Sequence, residues 1–453
     1  MPRYTLPARD IPLDDNWDVI VAGGGPAARP AATSAARQGA KTLLLEASGV
    51  LGGMGTSGLV PWFCGYTDGE KILARGLAET VRQGLMAGMP LLKKTIEANP
   101  LYAPSIDPEV LKRVYDNMVL GAGARVLFHT QVCSVDSGGG QVNAVIAANK
   151  TGLAAFKAKV YVDCTGDGDL AAWAGAPFEK GGEKGELQPA TMCFIIANID
   201  EYGLAAGPRV HYYDPDSPIW KAIRSDKYPD IIEPHACNRQ IGPGVWGFNT
   251  GHVFDVDNTD PASTTKAIFH GRKMAAQYRD AFAEFHPAFA NSFLAATGSM
   301  LGVRETRRIM GDYVLVADDY HARRSFPDEI CRNAYNIDIH SSKETSIAAS
   351  QKTIEELKAA NAKAICSYGP GESYGVPYRC LTPKGLRNVL VAGRCISTDR
   401  RLNGSVRIMA CCLTTGEAAG CAAAMAAAAA SDVHAVDTAA LRQTLKSHGA
   451  WLP

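Results

Sequence analysis

The sequence has 12 cysteines but no Cys-x-x-Cys pair among them. Zinc ribbons and iron–sulfur sites built on closely spaced thiolates are thereby excluded, and the scattered cysteines are expected to be reduced. Adjacent Cys411 and Cys412 read as small residues of a buried helix. An excess of one charge is missing as well: 46 Lys and Arg face 46 Asp and Glu. No basic tract or reading motif stands out, so nucleic acid is not an expected partner. Long hydrophobic runs are also lacking. The most uniform one, "AAGCAAAMAAAAA" (418–430), is short of the roughly 20 residues that span a bilayer. The opening "MPRYTLPARDIPLDDNWD" carries no apolar export segment. The expectation is a soluble, cytoplasmic protein without a membrane anchor. Asp163, Asp167 and Asp169 lie close together, but no distant cluster completes a ligand set. Their glycine-rich setting fits a helix cap, and no metal site is expected.

Hydrophobic residues make up 46% of the 453 residues, enough for two or three domains. The stretch "DVIVAGGGPAARPAATSAARQGAKTLLLEAS" (18–48) reads as strand, glycine turn, helix and strand. Gly23, Gly25 and Ala28 fit the spacing of a dinucleotide-binding turn. Gly23 allows the tight turn, Gly25 lets a pyrophosphate approach the backbone, and Ala28 keeps helix and sheet close. Pro26 stands near the helix start, where it is tolerated. Pro30 is harder to place, because in a second turn it removes a hydrogen bond and bends the axis. Glu46 ends the second strand at the position suited to the adenosine ribose. These features fit NAD and FAD equally. The five glycines of "EASGVLGGMGTSGLVPWF" (46–63) favour a second close approach to an extended cofactor, as FAD requires.

Further along, "IDPEVLKRVYDNMVLGAG" (106–123) predicts a helix with Asp107 as cap and Pro108 in the first turn. A hairpin is expected around Gly138–Gly140. "KVYVDCTG" (159–166) returns as a strand and leads into a helix near Asp169. Residues 190–345 are irregular and rich in aromatics and histidines, with one helical stretch at 261–287. "NVLVAG" (388–393) predicts a late strand. "NGSVRIMACCLTTGEAAG" then predicts one long helix, with Gly416 and Gly420 permitting close packing. Its positive amino end suits the electron-rich side of a reduced flavin.

Together these segments resemble the FAD-dependent oxidoreductases related to fumarate reductase flavoprotein subunits. The resemblance rests on Gly23–Ala28 with Glu46, "GGMGTSGLVP" (52–61), "VDCTGDGDLAAWAGAP" (162–177), "LGVRETRRIMGDYVL" (301–315), "YGVPYRCLTPKGLRNVLVAGRCIS" (374–397) and "GSVRIMACCLTTGEAAG" (404–420). It implies an α/β fold with an α+β insert: a Rossmann-like, glutathione-reductase-like FAD-binding domain formed by residues 1–189 and 346–453, and a substrate-binding cap of residues 190–345. FAD is expected along Gly23, Gly25, Pro26, Ala28 and Glu46, then Gly52, Gly53, Thr56 and Ser57. The path continues by Val132, Thr165, Gly166 and Asp167 to Gly393, Arg394, Gly404, Ser405 and Val406. No histidine lies within 52–60 to suggest the covalent linkage of some relatives. A homodimer is the oligomer the family suggests.

Flavin chemistry needs a group that anchors the substrate and one that manages a proton. Arg304, Arg307 and Arg308 in "GVRETRRIMG" are anchors, with Arg304 and Arg308 on one face if the segment is helical. Glu305 is at hand to make the same row a structural brace instead. Arg379 and Arg407 are further anchors. His252 and His340 are proton carriers, and Tyr374 and Tyr378 could orient a polar substrate. The residues assigned to catalysis are His252, His340, Arg308, Arg379 and Tyr378. The reading is hydride transfer between a small polar organic substrate and FAD, with a separate electron acceptor or donor. No second complete nucleotide fingerprint marks an NADPH domain. The alternative is a non-catalytic FAD-binding sensor or scaffold.

Overall fold

Val19, Ile20, Val21 and Ala22 have no exposed surface, because the strand that carries them, Leu13–Ala22, lies inside a sheet covered on both faces. The computed structural model describes Tyr4, residues 7–340, 342–364 and 367–453, leaving out the side chains of 361–364. The sheet runs in the order Arg125–Leu127, Thr42–Leu45, Leu13–Ala22, Gly152–Asp163, Gln141–Asn149, Gln131–Gly138. The first four strands are mutually parallel, and the last two form an antiparallel hairpin. Gly139 and Gly140, both at positive φ (59° and 76°), close that hairpin. The late strand Val389–Val391 joins in parallel along Tyr161–Asp163. Three segments far apart in sequence thus end at one sheet edge: the turn after Ala22, the turn after Asp163 and the loop after Val391.

The crossover helix Ala28–Arg37 starts late enough to place Pro30 in its first turn. An N–H there has no partner within the helix, so the expected bend has no cause. The buried Arg29 ties the turn to the fold. It donates to the carbonyls of Gly24 and Gly25 (3.1 and 2.9 Å) and stacks 3.1 Å from the centre of the Tyr115 ring. The helix Pro108–Gly121 that supplies Tyr115 is capped by Asp107, whose carboxylate accepts from Glu109 and Val110.

A second hydrophobic core runs from Ala190 to Val303. Its antiparallel sheet has the order Phe293–Thr297, Phe194–Ala197, Val245–Thr250, Ala236–Gly242. The long helix Pro261–Phe285 packs on it through Tyr278 and Phe282, and Phe194 stacks on Phe248 at 5.1 Å. These insertions cap the Rossmann-like core. The chain then rejoins the first core at Ile309, in a strand, Arg307–Ile309, paired with Phe178–Lys180. The arginine-rich segment is therefore not helical: it bends at Thr306 and is a strand over Arg307–Ile309.

The single helix expected after residue 403 is two helices. Arg400–Val406 is capped by Asp399, and Met409–Ala429 begins after Ile408, whose ψ of 147° breaks the helical path. The second helix has 21 residues and is long and apolar enough to cross a membrane by length and composition, which the 418–430 run alone did not suggest. Instead, 89% of its apolar window is buried in this fold. Its alanines and glycines let it lie directly on Ala28–Arg37.

That helix also buries Glu417, at 2% exposure. Its Oε2 accepts the Leu77 N–H at 2.8 Å, while Oε1 has no partner. Burial pushes the acid up to about 7 from 4.5. Between those values the folded chain holds a proton that the unfolded chain has released. Stability therefore falls as pH rises through that window, by about 3 kcal/mol. Glu417→Gln is expected to remove this slope. Thermal melts should show the variant gaining on the parent by at least ~1 kcal/mol between the two ends of the window.

Candidate active site

The three strand ends converge on a cavity of ≈ 1670 Å³, counted to include its mouth. At one end stands the glycine turn. Gly23 has φ +90°, and a Cβ there would sit 2.7 Å from the Cys164 carbonyl, so both conformation and space require glycine. Gly25 differs: its nearest neighbour to an added Cβ is 3.8 Å away, and the residue lines the cavity. Glu46 is fixed beside it, its carboxylate accepting the N–H groups of Gly24 (2.6 Å) and Ser48 (2.7 Å). Thr130 and Val132 continue the wall, and Gly53 passes close over Gly25.

Arg394 belongs to the middle of the cavity. Its Nε donates to the Gly166 carbonyl at 2.9 Å, and Nη2 donates to Asp167 Oδ1 at 2.6 Å. Asp167 also accepts from Thr306 and Asn258, both at 2.6 Å, so it holds Arg394 from behind. The amino end of Met409–Ala429 reaches the same wall through Ile408, Met409 and Cys412.

The far end is polar and charged. Arg304, Tyr335, Asp338, His340 and Arg407 line it, with Trp62 and Asn249 nearby. Arg304 is buried, and its Nη1 donates to the Pro189 carbonyl (2.6 Å) and Thr191 (3.1 Å). Burial, with Arg407 close by, lowers it to about 10, which leaves it charged at neutral pH. Arg407 donates to Asp338 Oδ2 at 3.2 Å, while its buried Nε has no partner. Burial would raise the Asp338 carboxyl, but His340, Arg407 and Arg304 outweigh it and hold the acid well below its ordinary range. Tyr335 donates to the same carboxylate at 3.2 Å. His340 Nε2 lies 3.3 Å from it, and His340 Nδ1 meets His252 Nε2 at 2.8 Å. Burial, followed by Arg304, pushes the His340 imidazole well below its usual value, so it is neutral.

Of the residues expected at the cofactor, Gly23, Gly25, Pro26, Glu46, Gly53, Val132, Thr165, Gly166, Gly393 and Arg394 line this cavity. Ala28, Gly52, Asp167, Gly404, Ser405 and Val406 stand behind its wall, fully or nearly fully buried. Thr56 and Ser57 line a neighbouring cleft instead. Of the residues assigned to catalysis, His340 reaches the cavity and His252 lies directly behind it. Three others face elsewhere. Arg308 binds Glu179 (3.2 Å) and the Gly181 carbonyl (3.1 Å). Arg379 forms a two-pronged pair with Asp328 (2.9 and 3.1 Å), and the Tyr378 hydroxyl donates to the Val433 carbonyl at 2.7 Å. The segment is not helical, and the bend at Thr306 lies between Arg304 and Arg308, so the two arginines do not share a face. Tyr374 is held by Asn333 and Ser405.

Asp163 and Asp169 serve as supports, Asp163 by accepting the Ala171 and Thr165 N–H groups and Asp169 by pairing with Arg307. Sequence reasoning missed Tyr335 and Asp338. The signal was present in "YNIDIH" (335–340): two steps in an extended segment bring Asp338 and His340 to one side.

The family model of the FAD dependent oxidoreductases matches residues 18–445. The chain belongs to that family, and FAD is its cofactor. No curated protein matches the sequence. Among solved structures, a geranylgeranyl bacteriochlorophyll reductase-like protein from Thermoplasma acidophilum has a TM-score of 0.46 at 12% identity, covering 97% of this chain and 83% of that one. The p-nitrophenol 4-monooxygenase of Pseudomonas putida DLL-E4 gives 0.45 at 12%, covering 96% and 84%. The anhydrotetracycline hydroxylase of Streptomyces rimosus gives 0.42 at 15%, covering 95% and 65%. No comparison points to fumarate reductase flavoprotein subunits in particular. The cavity fits FAD on its own chemistry: bare backbone at Gly25, a fixed carboxylate at Glu46, and an unpartnered donor at Arg407 Nε.

Proposed function

We propose that this FAD-dependent oxidoreductase exchanges a hydride with a polar organic substrate held at the Arg304 end of the cavity. The observation that carries the reading is the convergence there of two guanidinium groups, an ionised carboxylate and a neutral imidazole, at the end away from the adenosine-binding turn. FAD, when bound, supplies the hydride acceptor or donor.

Arg304 anchors a substrate oxygen, because a charged, buried guanidinium aimed by Pro189 and Thr191 offers directed donors in a site of low polarity. Asp338 fixes the positions of Tyr335, His340 and Arg407 around one oxygen, Oδ2. The proton that accompanies the hydride passes at His340, which has His252 behind it as the next station. Trp62, Met300 and Val303 supply apolar surface on the adjoining wall. A separate electron acceptor or donor resets the cofactor.

The test is an anaerobic absorbance scan of the purified holoprotein against hydroxy acids, amines, sugars and cyclic alcohols. One compound class should bleach the oxidised flavin band. If none does, the chemically reduced protein should be reoxidised by an unsaturated acceptor. Failure in both directions, with flavin and fold intact, would favour the sensor or scaffold role. With the active compound in hand, Arg304→Gln is expected to lower kcat/KM by about 10²-fold while flavin content stays the same.

A further inference from the structure

Behind the Arg304 end, three histidines from distant parts of the chain meet. Ring nitrogens of His235, His252 and His340 all lie within 4.8 Å of one another. His235 stacks on His252, with ring centres 5.0 Å apart, and makes no hydrogen bond among the described residues. His252 Nδ1 lies 2.7 Å from Glu233 Oε1. His340 Nε2 lies 3.3 Å from Asp338 Oδ2. A carboxylate therefore stands on the outer nitrogen of each of these two rings, while their inner nitrogens face each other at 2.8 Å.

Only the contact between His252 Nε2 and His340 Nδ1 is a hydrogen bond. Glu233 Oε1 and His252 Nδ1 are close yet neither has a hydrogen-bond partner, and His340 Nε2 stands 3.3 Å from Asp338. A neutral imidazole carries one N–H and keeps a lone pair on its other nitrogen. Three rings thus bring nitrogen lone pairs to one place, where a cation can take them.

We infer that His235, His252 and His340 form a binding site for one divalent first-row transition ion, with zinc as the reference case. Neutral imidazoles are the ligands such ions prefer. The carboxylates on the outer nitrogens of His252 and His340 are the usual orienting partners of metal-bound histidine. The two carboxylates beside the rings, Glu233 and Asp338, match the two guanidinium groups of Arg304 and Arg407 in formal charge. Two ligand nitrogens about 2.1 Å from a tetrahedral ion stand roughly 3.4 Å apart, so the two rings separate by about half an ångström on binding. His340 lines the flavin cavity and His235 lines the adjoining cavity of the cap. The fourth position thus opens toward the substrate, and a water bound there is a proton carrier near neutral pH that takes the place of His252 as the station behind His340. The inference stands on the histidine geometry and holds whether or not the hydride-transfer reading does.

The experiment uses tag-free holoprotein, stripped with a chelator and then loaded separately with Zn²⁺ and Co²⁺. Metal per chain is measured by mass spectrometry after desalting, and cobalt ligand-field bands are read to the red of the flavin. The expected result is one ion per chain. His235→Ala, at a site that is not fully buried, should abolish stoichiometric retention with flavin content unchanged. Glu233→Gln should weaken binding by about 10-fold. Absence of a retained ion and of cobalt bands in the parent protein would overturn the inference, leaving a shared proton between His252 and His340. Retention unaffected by His235→Ala would overturn it equally, since the ion would then sit elsewhere.

Discussion

Gly416→Ala is expected to destabilise the folded protein by about 3 kcal/mol or more, although alanine normally gains about 1 kcal/mol over glycine inside a helix. A Cβ at Gly416 would stand 2.0 Å from the Ala27 carbonyl oxygen and 2.7 Å from its carbon. These atoms are backbone, in the turn between the first strand and the first helix, and cannot swing aside as a side chain would. One turn further on, a Cβ at Gly420 would meet the Ala31 carbonyl oxygen at 2.0 Å. Two helices therefore touch backbone to backbone, and the alanine-rich sequence of Met409–Ala429 serves that contact. Urea unfolding of the variant should show a lower midpoint with an unchanged slope. Because Ala27 also lines the cofactor cavity, FAD should be held less tightly as well. An unchanged or raised midpoint would mean that the helices do not approach so closely.

Gly25→Ala should give the opposite combination, an intact fold with a weakened cofactor site. No protein atom except the Cys164 carbonyl oxygen, at 3.8 Å, is near the added methyl group, and no positive φ strains it. The methyl would instead occupy the space through which a pyrophosphate approaches the backbone. FAD affinity is expected to fall by about 10²-fold, which is near 2.7 kcal/mol. Thermal unfolding of the flavin-free protein should be unchanged. The measurement is flavin titration followed by fluorescence, with melts of both apo proteins beside it. Equal affinity in parent and variant would show that no phosphate passes over Gly25. A lowered apo melting point would show that the glycine serves the fold instead.

The two glycines illustrate what was legible in the sequence. The first strand, the turn and Glu46 were readable because a dinucleotide turn imposes local requirements at fixed spacing, and the family match agrees that FAD is the cofactor. The Asp107 cap and the Gly139–Gly140 hairpin were local in the same sense. Arg308 and Arg379 face away from the cavity, and spacing alone does not tell this because an arginine's role depends on where its long side chain ends. Glu179 and Asp328, which capture them, are distant in sequence. Arg304 reaches the cavity although the helical face expected for it is absent. The histidine cluster was beyond sequence reading for a topological reason. His235 and His252 flank the strand pair Ala236–Gly242 and Val245–Thr250, and His340 arrives after the chain has left the cap. The break at Arg407–Ile408 had no breaker residue to announce it.

The most direct test of the account is the crystal structure of the protein with FAD bound. The account predicts the adenosine ribose at Glu46, the pyrophosphate over Gly25, and the isoalloxazine ring at the end lined by Arg304, Tyr335, His340 and Arg407. A ring placed away from those four residues, or a cofactor running in the opposite direction, would contradict it.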